Sequence, residues 1–364
     1  MALLTQSLET KDFILTAYRL STDKDIVKYK NFLQHFPKHP FYNSDLLSFG
    51  KNDMEELMYF VMFYKGNPAV LMPFFIRKII FNEKETGYND VSSPYGYSGP
   101  IFANTIGNEL IFVFWTQIDE WYRNNNVVSE FIRFNLLENW KGYNGKIIPT
   151  LSNVRGKVLS EAEQWKNFKP KVRNNYRKSL SYGLKSKLYH YNITIEVIRQ
   201  FHEIYTGTME RNNASAQYFY ELDYLINLIT NNPSTCAIII IYKGEDPISA
   251  ELLLLSDTTI NSFLGGTVMD YFYTRPNDFL KIEVLKWARE KGYSYYFLGG
   301  GRENNDNLYL YKKSFFPLDV DLIFYTGRKI IDEGSYNTLV NHNPYCVGCL
   351  HGNYFPLYRC KQYC

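Results

Sequence analysis

Hydrophobic and polar positions along this chain follow two periods, one near 3.6 and one near 2, and their succession predicts the elements. In the first half a helical period covers Thr22–Phe36. Two strand-like runs follow, Tyr59–Tyr64 and Ala69–Ile76, joined by the tight turn Lys65-Gly66-Asn67. A long loop is expected from Tyr88 to Ile101, then an amphipathic helix near Ile106–Arg123 and strands near Val127–Asn135 and Lys146–Leu159. In the second half, helices near Glu196–Arg211 and Tyr218–Asn231 precede strands at Cys236–Tyr242, Ile248–Leu255 and Thr259–Leu264. Pro276 and Asn277 open a helix whose apolar side carries Phe279, Leu280, Ile282, Leu285 and Ala288, and Gly292 can close it. Ser294–Leu298 then reads as a buried strand, followed at once by Gly299-Gly300-Gly301 and by a basic helix from about Asn307. Asp319–Tyr325 is expected to close the sheet.

The second half repeats the order of the first. Tyr64-Lys-Gly-Asn-Pro-Ala69 and Tyr242-Lys-Gly-Glu-Asp-Pro247 mark corresponding hairpins, although such turn residues also recur by chance. Helices and strands interleave without strict βαβ alternation. The expectation is therefore an α/β (α+β) chain of two domains, each a mixed, mostly antiparallel sheet flanked by helices. The first would span 1–160 and be joined by the tail 330–364; the second would span 161–329.

Composition narrows the function classes. At 364 residues, 45% hydrophobic and 21% charged, the chain reads as globular, with room for two cores. A net charge of +3 gives no case for a DNA partner. No run approaches the roughly 20 apolar residues of a membrane span, and the N-terminus lacks a secretory pattern, so a cytoplasmic location is expected. The 32 tyrosines and 26 phenylalanines fit aromatic-rich cores, or a groove that stacks sugars or bases.

Chemistry concentrates at the end of the strand Ser294–Leu298. Three glycines let backbone amides approach a ligand, and Tyr311-Lys312-Lys313-Ser314-Phe315 follows. With a helix from Asn307, Leu308, Lys312 and Phe315 would share the inward side while Lys313 would be solvated. This arrangement resembles the second acyltransferase domain of the Fem-type aminoacyltransferases and their relatives in the GNAT (N-acetyltransferase-like) superfamily. The resemblance implies two tandem GNAT-like domains. It also implies Lys312 as the cation near an acyl carbonyl, Tyr311 beside it, and Gly299, Gly300 and Gly301 as backbone donors.

Other segments extend the resemblance. Lys166 to Lys187 contains eight cations and no acid, with Val172, Tyr176 and Leu180 as an apolar face. It is either a solvated face or a phosphate-binding wall, and Arg173 and Arg177 match the basic helix that enters the second domain of these transferases. Asp90-Val-Ser-Ser-Pro-Tyr-Gly-Tyr-Ser-Gly-Pro100 is a shaped loop. It resembles a loop of the bacterial acetyltransferase branch that lines the acceptor cleft, with Asp90, Tyr95 and Tyr97 as polar contacts and Arg133 nearby. Glu210, in Thr206-Gly-Thr-Met-Glu-Arg-Asn212, is either an exposed helix residue or, with Asp90, a candidate base. Cys346, Cys349, Cys360 and Cys364 have knuckle-like spacing, but the resemblance needs no metal and none is assigned.

One departure bears on the donor. Ordinary GNAT acetyltransferases hold the CoA pyrophosphate on a glycine loop before a helix. Here Arg275-Pro-Asn-Asp-Phe-Leu280 stands in that place, with Arg275 the remaining cation. The expected reaction is N-acyl transfer from an activated donor, with acyl-CoA favoured. The acceptor would be a lipid-linked or nucleotide-linked envelope sugar. Alternatives are transfer from aminoacyl-tRNA to a peptidoglycan precursor, and a non-catalytic nucleotide-sugar-binding module.

Overall fold

The computed structural model describes residues 12–48, 55–81, 83–103, 107–343 and 354–360. In chain order the elements begin with β1 (Phe13–Arg19), α1 (Asp23–Leu33), α2 (Ser44–Leu47), β2 (Glu55–Tyr64), β3 (Asn67–Phe81), β4 (Lys84–Ser92) and β5 (Ile101–Phe102). They continue with α3 (Asn108–Asn124), β6 (Val127–Arg133), β7 (Lys146–Lys157), α4 (Glu161–Asn167), α5 (Pro170–Ser181), β8 (Leu184–His190), α6 (Ile195–Arg211) and α7 (Leu222–Asn231). The remainder is β9 (Cys236–Lys243), β10 (Asp246–Leu255), β11 (Thr259–Thr267), α8 (Pro276–Lys291), β12 (Tyr295–Gly299), α9 (Asn307–Lys313), β13 (Leu322–Ile330) and α10 (Glu333–His342).

The chain divides into two units: 1–37, 41–150 and 324–364 form unit 1, and 38–40 with 151–323 form unit 2. The sheet of unit 1 runs β1-β2-β3-β4-β6-β13, with the two-residue β5 beside β3. That of unit 2 runs β7-β12-β11-β10-β9-β8. All neighbours are antiparallel except one pair in each unit, β4/β6 and β11/β12. Both parallel pairings are short. In unit 2 only Thr259↔Tyr295, Ile260↔Tyr296 and Asn261↔Phe297 pair, and β11 then runs on to Thr267 without that partner. A parallel pair that parts at its carboxyl ends leaves a notch where loops and helix termini converge, the usual place for a ligand in an open α/β sheet.

Each unit has its own core. In unit 1, Phe60, Phe74, Phe114, Trp115, Ile118 and Phe134 are buried in one cluster, and Tyr29, Tyr42, Tyr59 and Leu71 in a second. In unit 2, Ile239, Ile241, Leu253, Leu285, Tyr296 and Phe315 are fully enclosed. Side chains of this size each contribute roughly 1.5–3 kcal/mol when removed from water. Local chemistry sets the helix ends. Thr22 and Asp25 form a reciprocal cap on α1, Pro170 and Pro276 open α5 and α8, and Gly292 (φ +77°) closes α8 in a left-handed turn. Among the described residues no helix is long and apolar enough to cross a membrane.

Several sequence expectations shift. The loop expected from Tyr88 is strand as far as Ser92, pairing with β3 so that Asp90 stands opposite Arg77. The polar run Lys84–Asn89 hid it, because an exposed strand need not alternate. The last strand lies at Leu322–Ile330, starting three and ending five residues later than expected, and pairs with β6 of unit 1; residues of β7 complete the second sheet. On α5 the buried face is Val172, Tyr176 and Ser179, while Leu180 is half exposed. The two hairpin glycines differ by one position: the first loop is Lys65-Gly66 and the second Gly244-Glu245. The corresponding hairpins thus carry the repeat through their place in the sheet, not through their turn residues.

Candidate functional site

Lys312 sits on α9, whose start is fixed by Asp306. That carboxylate accepts from Tyr309 N–H (2.7 Å) as N-cap and from Arg302 N–H (2.7 Å) in the preceding loop. Gly301 has no room for a side chain there, since a Cβ would lie 2.0 Å from Asp306 Oδ1. Gly299 ends β12 at φ +76°, a conformation that suits glycine. The loop so shaped turns the Gly300 carbonyl toward α9, where Lys312 Nζ donates to it at 2.7 Å. Among the described residues the Gly300 and Gly301 amides donate to no acceptor. One part-buried ammonium and two unspent amides therefore gather at the carboxyl end of β12.

The electrostatics follow from burial. Burial pushes Lys312 down to about 8, Lys281 adds to the shift, and Glu251 and Asp306 oppose it. The hydroxyl of Tyr311 is buried with no hydrogen-bond partner among the described residues, and burial raises its pKa well above the ordinary value. Behind them lies a polar cluster that sequence reasoning missed. Glu251 on β10 is buried and accepts from Lys281 Nζ, Ser262 Oγ and Tyr296 Oη (2.9 Å). The available signal was a carboxylate inside the apolar run Ile248–Leu255, which a buried strand carries only with partners. Asp278, in the first turn of α8, is also buried, and that burial pushes its carboxyl up to about 6 despite Asn175 and Arg275.

The inward side of α9 differs from the expected one. Tyr309 and Phe315 are buried, whereas Leu308 is 43% exposed. Lys312 follows Tyr309 by three positions and shares its side. Lys313 is not solvated: its Nζ pairs with Asp321 Oδ1 at 2.8 Å and donates to the Asp319 carbonyl.

The remaining candidates separate. Arg173 is half-buried and donates to the carbonyls of Trp165, Lys166 and Phe168, so it serves the C-terminal end of α4. Arg177 is exposed, 5.4 Å over the Trp165 ring. The helix carrying both is fastened to α8 by Tyr176, which stacks on Phe279 and donates to Glu283 at 2.9 Å. Arg275 is exposed at the start of α8, in a left-handed conformation (φ 61°), and Pro276 gives the helix no first amide. With Asp278 already in that first turn, this terminus does not fit a pyrophosphate. Glu210 is exposed on α6.

In unit 1, Asp90 is fully buried between Arg77 Nε (2.7 Å) and Arg359 Nε, and also accepts from Tyr358 Oη at 3.0 Å. A carboxylate with three donors is a structural anion, not a free base. Tyr95 is exposed; Tyr97 packs edge-on against Phe41 and Phe324. Their loop is held from below, with Asn139 Nδ2 donating to the Ser98 and Pro100 carbonyls at 2.8 Å. Arg133 borders the same loop. Of the tail cysteines, Cys360 is buried; Cys346, Cys349 and Cys364 lie outside the described residues.

Residues 170–313 match the acetyltransferase (GNAT) domain family. FemX superposes with a TM-score of 0.64 at 12% identity, over 89% of this chain and 99% of FemX. The C-terminal domain (DUF2156) of a putative lysylphosphatidylglycerol synthetase from Agrobacterium fabrum gives 0.56 at 12% identity, over 85% of this chain and 92% of that one. L-PGS from Bacillus licheniformis gives 0.55 at 13% identity, over 83% and 91%. No curated protein sequence matches the chain. Identities this low speak to fold and not to substrate. Residues 170–313 are thus similar to the acetyltransferase (GNAT) domain family, and the fold of the chain is like that of FemX.

Proposed function

We propose that the protein is an N-acyltransferase that moves an acyl group from an activated donor, in the first instance acyl-CoA, to an amine of a cell-envelope sugar precursor in the cytoplasm. The observation that carries this reading is the joint placement of the Lys312 ammonium and the Gly300 and Gly301 amides at the end of β12. In the reaction the amine nitrogen attacks the acyl carbon, and the carbonyl oxygen gains negative charge. The carbon–sulfur bond breaks, and the departing thiolate takes up a proton. Fixed donors aimed at the developing oxyanion are the largest contribution a protein can make here. Tyr311, its hydroxyl buried and without a partner among the described residues, is a further candidate donor on the same helix.

The proton of the incoming ammonium needs an acceptor, unless the amine arrives neutral. Asp278 suits the task better than Asp90 or Glu210. It lies in the same unit as Lys312, and its pKa of about 6 sets it close to neutral pH.

A second reading, transfer from the ester of an aminoacyl-tRNA, is favoured by one observation. The start of α8 lacks both the glycines and the first amide that would seat a CoA pyrophosphate. The test is a donor and acceptor panel. Acetyl-CoA and longer acyl-CoAs are offered with glucosamine-type and nucleotide-linked amino sugars, and labelled aminoacyl-tRNA with the same amines. Amine-dependent release of free thiol supports the first reading, and label transfer from tRNA supports the second. A folded protein that transfers from neither donor to any amine contradicts both.

A further inference from the structure

We propose that unit 1 holds an anion-binding site built on Arg133 and Arg77, fitted to a phosphate or carboxylate group. Arg133 ends β6 at the position that Gly299 holds on β12, beside the parallel pair β4/β6. Its guanidinium lies 4.8 Å over the Phe131 ring, and Nη1 donates to the Ser93 carbonyl at 3.3 Å. Among the described residues it has no ion-pair partner. Arg77, on β3, reaches Asp90 through Nε alone, and among the described residues its terminal nitrogens donate to nothing. Asp90 is already shared between Arg77 and Arg359, and Glu55 stands opposite Arg77 on β2. Burial and the nearby Arg77 both disfavour the charged form of Arg133.

A half-buried guanidinium with no counter-charge among the described residues is costly unless something supplies the charge. Flat, forked donors suit the oxygens of phosphate or carboxylate. The Ser93 carbonyl accepts from the Arg133 guanidinium and the Ser93 hydroxyl from the Arg133 backbone N–H, so side chain and backbone are both tied to that loop. The exposed Tyr95, close enough to influence Arg133, gives an aromatic edge at the same mouth. This inference does not depend on acyl transfer in unit 2 and can fail or stand separately.

The experiment compares the full-length protein with Arg133→Gln and Arg133→Lys by thermal unfolding and titration calorimetry. Inorganic phosphate, a nucleoside diphosphate and glucuronate are the probes, against sodium chloride at equal ionic strength. With a probe about a hundredfold above its dissociation constant, the wild-type midpoint should rise by about 5 °C. Arg133→Lys should keep part of that rise and Arg133→Gln none. Without a probe, Arg133→Gln should be as stable as the wild type or more so, because an uncompensated charge has gone. Response to phosphate alone, to the diphosphate or to glucuronate fixes the class of group bound. Equal stabilisation of wild type and Arg133→Gln, no response to any probe, or a loss of stability in probe-free Arg133→Gln would overturn the proposal.

Discussion

Replacing Lys312 by Ala is expected to reduce turnover by about 100-fold or more, the range for losing one donor to a developing oxyanion. Folding should survive the change. Lys312 has its pKa lowered on folding, so between about 8 and 10.5 the unfolded chain binds more protons than the folded one. Stability associated with this residue therefore rises with pH across that window, and at neutral pH the buried ammonium is a burden, not a support. The Gly300 carbonyl, to which it donates, lies in a loop already shaped by Asp306. Lys313→Ala should behave in the opposite sense. It removes the partner of Asp321 and leaves catalysis per folded molecule nearly unchanged. Steady-state rates and unfolding midpoints of the two variants, measured side by side, check both statements. Equal loss of turnover in both would mean that the acyl site lies elsewhere.

The second large effect belongs to Asp90. Asp90→Ala should cost about 3–5 kcal/mol, because it strands Arg77 and Arg359 together in a buried place. The loss would be read by denaturant unfolding. Asp90→Asn should recover part of it through the hydrogen bond from Tyr358. A variant with the wild-type midpoint and a dead reaction would restore Asp90 as a catalytic base.

These two residues also show what could be read in the sequence. Lys312 was legible because the glycine run and the aromatic-Lys-Lys-x-Phe segment are contiguous, so a local pattern carried the site. The partner of Asp90 was not, because Arg359 lies 269 positions away and meets it only through the fold. Glu251 and Lys281 escaped for a similar reason, since their pairing crosses from β10 to α8. The repeated order of elements gave two similar units, but not the pairing of β13 with β6, because strand partners are set by packing and not by neighbourhood in sequence. Leu180 and Leu308 misled because a helical period names the residues that can face inward, while a polar residue such as Ser179 can take the buried place. By its charge alone Arg173 fits a solvated face or a phosphate-binding wall. It is occupied by three carbonyls that only the end of α4 could supply.

The measurement that bears most directly on the central claim is the pH dependence of kcat/KM for acyl transfer. It uses a weakly basic amine that stays neutral across the range, comparing wild type with the residual rate of Lys312→Ala. Lys312 acts as an ammonium, so the wild-type rate should be flat below about pH 8 and fall as the pH rises through it. In Lys312→Ala the remaining rate should lack that fall. A descending limb at the same pH in both proteins would contradict the account.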